Sequence, residues 1–316
     1  MQTKMDLHSK KIKSIMEELA KVQSPAPKGK SMYELHCHTT ASDGKLTPIE
    51  LIDVAEKLNI KTIAITDHNT VNGSLEAQDY IKRTGKNIEI INAVEIDACE
   101  FKMFHFLAYG IKDMPKMKAF LDDLENKNQA VLAQIIDKLK NQGVDISVDG
   151  VRKLAGREKF KKTNIIDYLI ENGYAKDWQD VQDRFLGEKC VGYIKRVKPS
   201  AQEVIDIIHG CGGVCVLAHP MELSQMNKGS LPNIKTIEKL ILELKSMGID
   251  GVETHSRKHT PEEEKSLYDF CATHGLVQTK GNDYHAKPNQ KFGSLESKFK
   301  DKLFQAIINK SLSNGE

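Results

Sequence analysis

The sequence lacks three features, and each absence excludes a class of protein. No run approaches the roughly 20 apolar residues that a membrane span needs. The N-terminal segment is charged throughout and lacks the apolar centre of a signal peptide. Among 316 residues, 46 basic and 44 acidic side chains leave a formal charge of +2, so no broad basic surface is available to coat nucleic acid. We therefore predict a cytoplasmic protein that binds neither membranes nor long nucleic-acid duplexes.

Cysteine pairs suited to metal binding are also missing. The six cysteines contain no C-x-x-C pair and are spread along the chain, which argues against a zinc finger and against a disulfide framework. Cys211 and Cys215 flank a Gly-Gly-Val segment that is typical of a turn entering a buried strand. We predict reduced thiols in the protein core.

The order of the apolar segments divides the chain into three parts. Residues 1–30 combine a short amphipathic helix with a linker rich in helix breakers, SPAPKGK. Residues 31–112 and 199–316 alternate short apolar runs with helical patterns, which is typical of a parallel α/β sheet. About seven candidate strands in these segments suit a barrel or a barrel-like sheet. Residues 113–198 show helical periodicity alone and predict a helical insertion.

The first apolar run ends in a histidine pair. Side chains alternate along a strand, so His36 and His38 point to one face while Leu35 and Cys37 point into the packing. Two imidazoles on one face form half of a metal site when each lies about 2.1 Å from a shared ion. Asp43 follows in a turn beside Gly44, where it either reaches back over the strand end or only stabilises its own turn.

Later apolar runs end in the same residue types, and the carboxyl ends of parallel strands are where reactive residues gather in α/β folds. The additional residues at or near these ends are Asp67, His68, Glu95, His105, His219, Asp283 and His285. A single buried histidine or carboxylate is usually a satisfied core or capping group. Six histidines buried together with the three carboxylates of Asp43, Glu95 and Asp283, however, require cations.

The donor types indicate which ions these residues bind. Imidazoles mixed with carboxylates, without thiolates, suit Zn, Mn or Fe. At three to five ligands per ion, the nine candidates fit two or three ions close together. Such clusters mainly hydrolyse phosphate esters or amides, because the ions generate hydroxide and stabilise the developing charge.

These motifs resemble one known family. HCHTTASDG, ITDHNTV, the single Glu95, the apolar-flanked His105, LAHP and GNDYHA occur in the order found in the PHP (polymerase and histidinol phosphatase) domain. The resemblance covers about residues 32–110 and 200–286. It implies an α/β fold, a distorted (β/α)7 TIM-like barrel, with a trinuclear metal centre.

The resemblance also implies a role for each motif residue. His36, His38, Glu95 and Asp283 would hold the first ion, and Asp43, His68 and His285 the second. Glu95 would bridge to the third ion, which His105 and His219 complete. Asp67 would position its neighbours without binding an ion.

Within the family, the insertion resembles a branch that removes phosphate from nucleoside 3',5'-bisphosphates and trims short RNA from its 5' end. This likeness implies that the insertion is a lid that supplies cations to the substrate phosphate. Two motifs differ here: Lys161-Lys162-Thr163-Asn164 replaces Gly-Arg-Pro-His, and Met221-Glu222-Leu223 follows LAHP where several members have an arginine. We therefore take Lys162, Arg184, Arg196 and the strand-end His255 as candidates for binding the substrate phosphate.

Our leading hypothesis is a metal-dependent phosphoesterase acting on a small nucleotide or a short RNA 5' end. An ion-bound hydroxide would attack phosphorus, and Asp43 would carry protons. Histidinol-phosphate hydrolysis by the same centre is the alternative within the enzymes. A PHP module that has lost catalysis and serves regulation or binding is the alternative from another class. The oligomeric state is left open.

Overall fold

The computed structural model describes residues 2–101, 103–226, 233–295 and 298–313. The chain forms two compact units, one of Met1–Ala119 with Pro199–Glu316 and one of Phe120–Lys198. No helix among the described residues combines the length and the apolar character that crossing a membrane requires.

The first unit contains the strands, which alternate with helices along most of its length. Its strands are β1 (Met32–Cys37), β2 (Ile60–Ile65), β3 (Glu89–Ile91), β4 (Ala93–Asp97), β5 (His105–Tyr109), β6 (Val214–Leu217), β7 (Gly251–His255), β8 (Val277–Lys280) and β9 (Ser294–Leu295). Its helices are α1 (Gln2–Val22), α2 (Pro48–Lys57), α3 (Asn72–Thr84), α8 (Ala201–Gly210), α9 (Ile234–Met247), α10 (Pro261–Thr273) and α11 (Lys298–Ser313), with a 3-10 helix over Pro220–Met226.

The strands form two sheets of order β3-β2-β1-β9 and β4-β5-β6-β7-β8. Two isolated parallel bridges, Cys37 to Tyr284 and His68 to Glu95, connect residues of the two sheets and their flanking loops. The predicted mixed α/β class is therefore present, but within the described residues the strands do not close into one continuous ring. The closed TIM-like barrel is not confirmed.

Strand β5 departs from the parallel arrangement that the sequence predicts. It runs antiparallel to both β4 and β6. Only residues 98–104 connect β4 to β5. A parallel connection needs about a dozen residues or more, usually including a helix, so this short link forces an antiparallel turn.

Three helices of the first unit begin with the same capping box. Thr47 with Glu50 starts α2, Ser200 with Glu203 starts α8, and Thr260 starts α10 in the same way. In each case the side chain of the first residue accepts a backbone N–H, and the glutamate three residues later accepts the N–H of the first residue. These signals set where α2, α8 and α10 begin.

Helix α1 belongs to the first unit and packs against α2 and β2. Ile12 and Leu19 are buried in the same apolar cluster as residues of α2 and β2. Lys11 Nζ lies 2.7 Å from a carboxylate oxygen of Glu50, and His8 Nε2 lies 2.7 Å from one of Asp53. The N-terminal helix is thus held by apolar burial and by polar contacts.

The second unit is built from helices. It contains most of α4 (Met114–Lys140), then α5 (Val148–Ala155), α6 (Lys162–Glu171), α7 (Trp178–Val181) and a π-helical turn over Gln182–Leu186. Apolar residues of these helices form a separate core, with Ile135, Val151, Ile165 and Leu169 fully or nearly fully buried. The elements described in this unit are therefore helices, and the division of the chain at residues 113 and 198 stays a prediction.

Candidate metal centre

The end of β1 places two histidines side by side. The rings of His36 and His38 are both buried, and their centroids lie 5.2 Å apart. Leu35 and Cys37 are fully buried in apolar clusters instead. The alternation of side chains along the strand therefore separates the metal-type residues from the core, as the sequence predicts.

All nine residues predicted as ligands lie in one cluster within the first unit. Each has a ring nitrogen or carboxylate oxygen within 3.6 Å of such an atom from another member. The structure brings together His36, His38, Asp43, His68, Glu95, His105, His219, Asp283 and His285. The prediction that they bind ions is considered below.

Glu95 lies at the middle of this cluster and is completely buried. Five imidazoles surround its two oxygens. Oε1 lies 3.1 Å from His105 Nδ1 and 3.0 Å from His219 Nε2. Oε2 lies 3.4 Å from His36 Nε2, 3.3 Å from His38 Nε2 and 3.2 Å from His68 Nδ1. One carboxylate therefore contacts groups from both sheets and is placed to bridge more than one ion.

Asp283 and Asp43 occupy two other sides of the cluster. Asp283 Oδ1 lies 3.3 Å from His38 Nε2 and 3.4 Å from His285 Nδ1. Asp43 Oδ2 lies 3.1 Å from His285 Nε2. The Asp43 side chain is 44% exposed, whereas that of Asp283 is 10% exposed. Asp43 is thus the most exposed member of the cluster, followed by His68, whose side chain is 24% exposed.

Two members of the cluster have positive φ angles, which residues other than glycine rarely adopt. His219 has a φ of 25° and Asp283 a φ of 47°. Such angles cost free energy and are found where the surrounding structure imposes them, often at functional sites. They turn both side chains into the cluster immediately after β6 and β8 end.

Buried polar atoms without hydrogen bonds show that the cluster fits cations. His36 Nε2, both ring nitrogens of His38, His68 Nδ1 and Glu95 Oε2 are buried without a hydrogen-bond partner. Buried polar atoms of this kind are rare unless an ion or water binds them. Ligands about 2.1 Å from a shared ion lie about 3.4 Å apart in a tetrahedron and about 3.0 Å apart in an octahedron. The contacts around Glu95 fall in this range.

The electrostatics of the protein chain alone point to the same conclusion. Burial would raise the pKa of Glu95, but the neighbouring histidines outweigh it and hold this pKa well below its usual value. Burial would lower the pKa of His36, but Glu253 and Glu95 raise it well above the usual value. Without ions, protons on histidines whose pKa is raised, such as His36, balance part of the carboxylate charge. Divalent ions can take over this role.

Asp67 lies beside the cluster and supports the loop that carries Asp43. Its oxygens accept the Thr39 backbone N–H at 2.7 Å and the hydroxyls of Thr39 and Ser42 at 2.6 Å each. An added Cβ at Gly73 would lie 2.0 Å from Asp67 Oδ2, so glycine is required there. The role of Asp67 in positioning its neighbours without binding an ion stays a prediction.

The structure does not bring His255 to the cluster. Its ring packs at a tilt against that of Phe299 with centroids 4.4 Å apart, and its Nε2 lies 3.7 Å from Glu264 Oε2. The pairing of β7 with β8 shifts register between Glu253 and His255. Such a bulge breaks the alternation of faces, so the two residues no longer point the same way.

The same strand supplies a residue that the sequence analysis missed. Glu253 is completely buried, accepts the His36 Nδ1–H at 3.0 Å and accepts the His219 backbone N–H at 2.9 Å. A carboxylate that holds the second nitrogen of a ligand histidine fixes its tautomer and orientation. Alternation within VETH was the available signal, because Glu253 precedes His255 by two residues.

Two more side chains beside the cluster were not predicted. Arg257 Nη2 lies 3.4 Å from Asp283 Oδ2. Asp97 Oδ1 lies 3.3 Å from His68 Nδ1 and 3.4 Å from His105 Nε2. Asp97 follows Glu95 by two residues on β4, so the alternation rule places both on one face.

The remaining predicted phosphate contacts lie in the second unit. Lys162 Nζ donates to the Leu186 carbonyl at 3.1 Å, and burial lowers its pKa. Arg184 Nη1 pairs with Asp180 at 3.0 Å, and Arg196 is exposed. Their role toward a substrate phosphate stays a prediction.

Comparison with known proteins relates the chain to one family. The family model of the PHP domain matches residues 34–246. A 5'-3' exoribonuclease of Haemophilus influenzae is 31% identical over 255 residues, which cover 80% of this chain and 89% of the relative. A 3',5'-nucleoside bisphosphate phosphatase of Chromobacterium violaceum is 29% identical over 256 residues, with 80% and 87% covered.

Solved structures show the same relationship. A Bifidobacterium adolescentis protein assigned as a metal-dependent phosphoesterase superposes with a TM-score of 0.66 at 27% identity, covering 90% of this chain and 98% of that protein. An amidohydrolase from Chromobacterium violaceum superposes with a TM-score of 0.63 at 25% identity, covering 88% and 96%. The likeness therefore spans both units of the chain.

Proposed function

This chain belongs to the PHP domain family, and from this premise we propose that it is a metal-dependent phosphoesterase acting on a small nucleotide. The observation that carries the proposal is the buried cluster of histidines and carboxylates around Glu95. The substrate class is supported by relatives named as an exoribonuclease and a nucleoside bisphosphate phosphatase. A nucleoside 3',5'-bisphosphate and the 5' end of a short RNA are the substrates we favour.

We assign two or three divalent ions, Mn, Fe or Zn, to the cluster. The first ion would be held by His36, His38, Glu95 and Asp283, the second by Asp43, His68 and His285, and the third by Glu95, His105 and His219. These sets combine imidazole nitrogens and carboxylate oxygens, which suit such ions. When bound, ions of this kind supply Lewis acidity, lower the pKa of water and stabilise the charge of the phosphoryl oxygens.

We also assign the two sheets to a distorted (β/α)7 barrel. The bridge between His68 and Glu95 joins a residue that follows β2 to a residue of β4, so it brings two proposed ligands together across the sheets. The bridge between Cys37 and Tyr284 does the same beside His36 and Asp283. The metal centre and the junctions between the sheets therefore occupy the same end of the strands.

Protein side chains perform the positioning and proton transfer in this proposal. Asp43 is the most exposed of the ligands, which makes it the one that water and substrate reach directly. Burial opposes ionisation of Asp43, but the histidines around it hold its pKa below its usual value. Asp43 is therefore ionised near neutral pH, and its proton-carrying role rests on its exposure rather than on its pKa, because a lowered pKa makes it a weak base.

The test is a phosphate-release screen of the purified protein with added Mn²⁺. We expect release from nucleoside 3',5'-bisphosphates or from short 5'-phosphorylated RNA. The His36→Ala/His38→Ala double variant should lose bound metal as well as hydrolysis, because it removes two neighbouring imidazoles of the cluster. Full activity in that double variant would contradict the proposal.

The screen also separates the alternatives. Hydrolysis of histidinol phosphate in preference to nucleotides would assign the chain to that reaction. Purified protein that binds no Mn, Fe or Zn and releases no phosphate would favour a binding or regulatory module. Elemental analysis of the same samples distinguishes an inactive metal-loaded enzyme from a chain that binds no ions.

A further inference from the structure

Asp97 is held beside two of the proposed ligands by the backbone. In the antiparallel pair of β4 and β5, Asp97 lies directly opposite His105. The Asp97 N–H donates to Asn69 Oδ1 at 3.1 Å, and Asn69 directly follows His68. Strand register thus places the Asp97 side chain next to His105, and the hydrogen bond to Asn69 places it next to His68.

The contacts of His68 are those of a ligand that shares an ion with two carboxylates. His68 Nδ1 lies 3.2 Å from Glu95 Oε2 and 3.3 Å from Asp97 Oδ1. This nitrogen is buried and forms no hydrogen bond with either oxygen. Its two nearly equal distances match the spacing of about 3.0 to 3.4 Å between ligands of one ion.

The two carboxylate contacts of His105 are satisfied together only if its ring is protonated or if one of its nitrogens binds an ion. Its Nδ1 lies 3.1 Å from Glu95 Oε1 and its Nε2 lies 3.4 Å from Asp97 Oδ1. A neutral imidazole has one N–H and can donate to only one of these carboxylates. The Asp97 side chain is 9% exposed, so water does little to stabilise its charge.

We propose that Asp97 is a tenth ligand of the metal centre, and that its carboxylate joins His68 on the second ion while also facing His105, which is assigned to the third. One ligand atom from each of these three residues lies within 4.8 Å of those from the others. The inference rests on the metal centre proposed above and adds a fourth carboxylate to it. The negative charge of Asp97 raises the affinity of the centre for one ion. The affinity for that ion is therefore the one that a substitution at position 97 should lower most.

The test compares metal binding by the wild-type protein, Asp97→Asn and Asp97→Ser. Each protein is stripped with a chelator, reloaded with Mn²⁺ at buffered free concentrations and analysed for bound metal. Asparagine keeps an oxygen that can accept an N–H from His105 but removes the charge. We expect Asp97→Asn to weaken binding of one ion by more than about 100-fold, beyond the 10- to 100-fold that the loss of an orienting partner costs. Asp97→Ser should lower the affinity for the same ion, because serine also lacks the negative charge.

A spectroscopic readout and a control complete the test. Absorption bands of the Co²⁺-loaded protein report the ligands, and we expect them to change in Asp97→Asn while circular dichroism stays unchanged. Asp53→Asn is the control, because Asp53 is a partly buried carboxylate that contacts His8, Tyr80 and Lys86. Wild-type ion number, affinity and Co²⁺ spectrum in Asp97→Asn would overturn the tenth ligand alone. A wild-type protein that binds no ions would overturn the centre as well.

Discussion

Glu253→Gln is the perturbation that most directly tests how the fold supports the metal centre. Glu253 accepts one N–H from the His36 ring and one from the His219 backbone. The two hydrogens go to different oxygens of Glu253, Oε1 and Oε2, and glutamine replaces one of these oxygens with an NH₂ group, so one hydrogen loses its acceptor. The N–H that loses its acceptor then faces the NH₂ group of the glutamine, so two donors meet in a fully buried position.

The structure sets the size of the effect. Losing the partner that orients a ligand histidine lowers metal affinity by about 10- to 100-fold, which corresponds to about 1.4 to 2.7 kcal/mol. A second change distinguishes this role from simple destabilisation. Burial lowers the pKa of His36, whereas Glu253 and Glu95 raise it well above its usual value. Without the charge of Glu253 protons compete less well with ions, so the binding curve should move to lower pH while affinity at high pH falls.

The assay is a competition titration of Mn²⁺ against a chelator at several pH values, with ion number checked by elemental analysis. Asp250→Asn is a matched control, because Asp250 also accepts from a histidine ring and a backbone N–H, those of His209 and Cys215, each at 2.8 Å. The control should lower stability without changing metal affinity. Wild-type affinity and pH dependence in Glu253→Gln, or an equal loss of affinity in Asp250→Asn, would refute the reasoning.

Three further outcomes follow from the same structure. Gly281→Ala should lower both the melting temperature and ion number, because the added Cβ would lie 2.3 Å from His36 Cβ; unchanged ion binding would contradict the tight packing. Acid should release α1. Partial burial raises the pKa values of Glu50 and Asp53, but the contact with Lys11 holds that of Glu50 below its usual value, and the contact with His8 does the same for Asp53. Their contribution is therefore present above about pH 4 and is lost as pH falls through the lowered values. In this pH range the protection of α1 amides against hydrogen exchange should fall before that of the other helices. Protection of α1 that does not change with pH would contradict the release of this helix by acid. Removing ions with a chelator should lower the melting temperature, since ligand at 100 times its dissociation constant stabilises by about 2.7 kcal/mol; equal melting curves with and without ions would show that the centre does not couple to folding.

Much of the candidate site was predictable from local patterns. The alternation of side chains along β1 separates His36 from Leu35, and capping boxes such as that of Thr47 mark where helices begin after the strands. Both signals depend only on residues close together in the chain, so they can be recognised in a single sequence. The PHP family membership expected from the motifs is confirmed, whereas the ligand assignments and the phosphate contacts in the insertion stay predictions.

Tertiary structure decided what local patterns leave open. The bulge in β7 turns His255 toward Phe299 and leaves Glu253 under His36, because pairing with β8 determines the register. The short link after β4 makes β5 antiparallel and sets Asp97 opposite His105. The sequence alone thus determined which residue types occur at the strand ends and that they suit metal ions. Which side chains meet there depends on register and strand direction, since these arise from hydrogen bonds between segments distant in the chain.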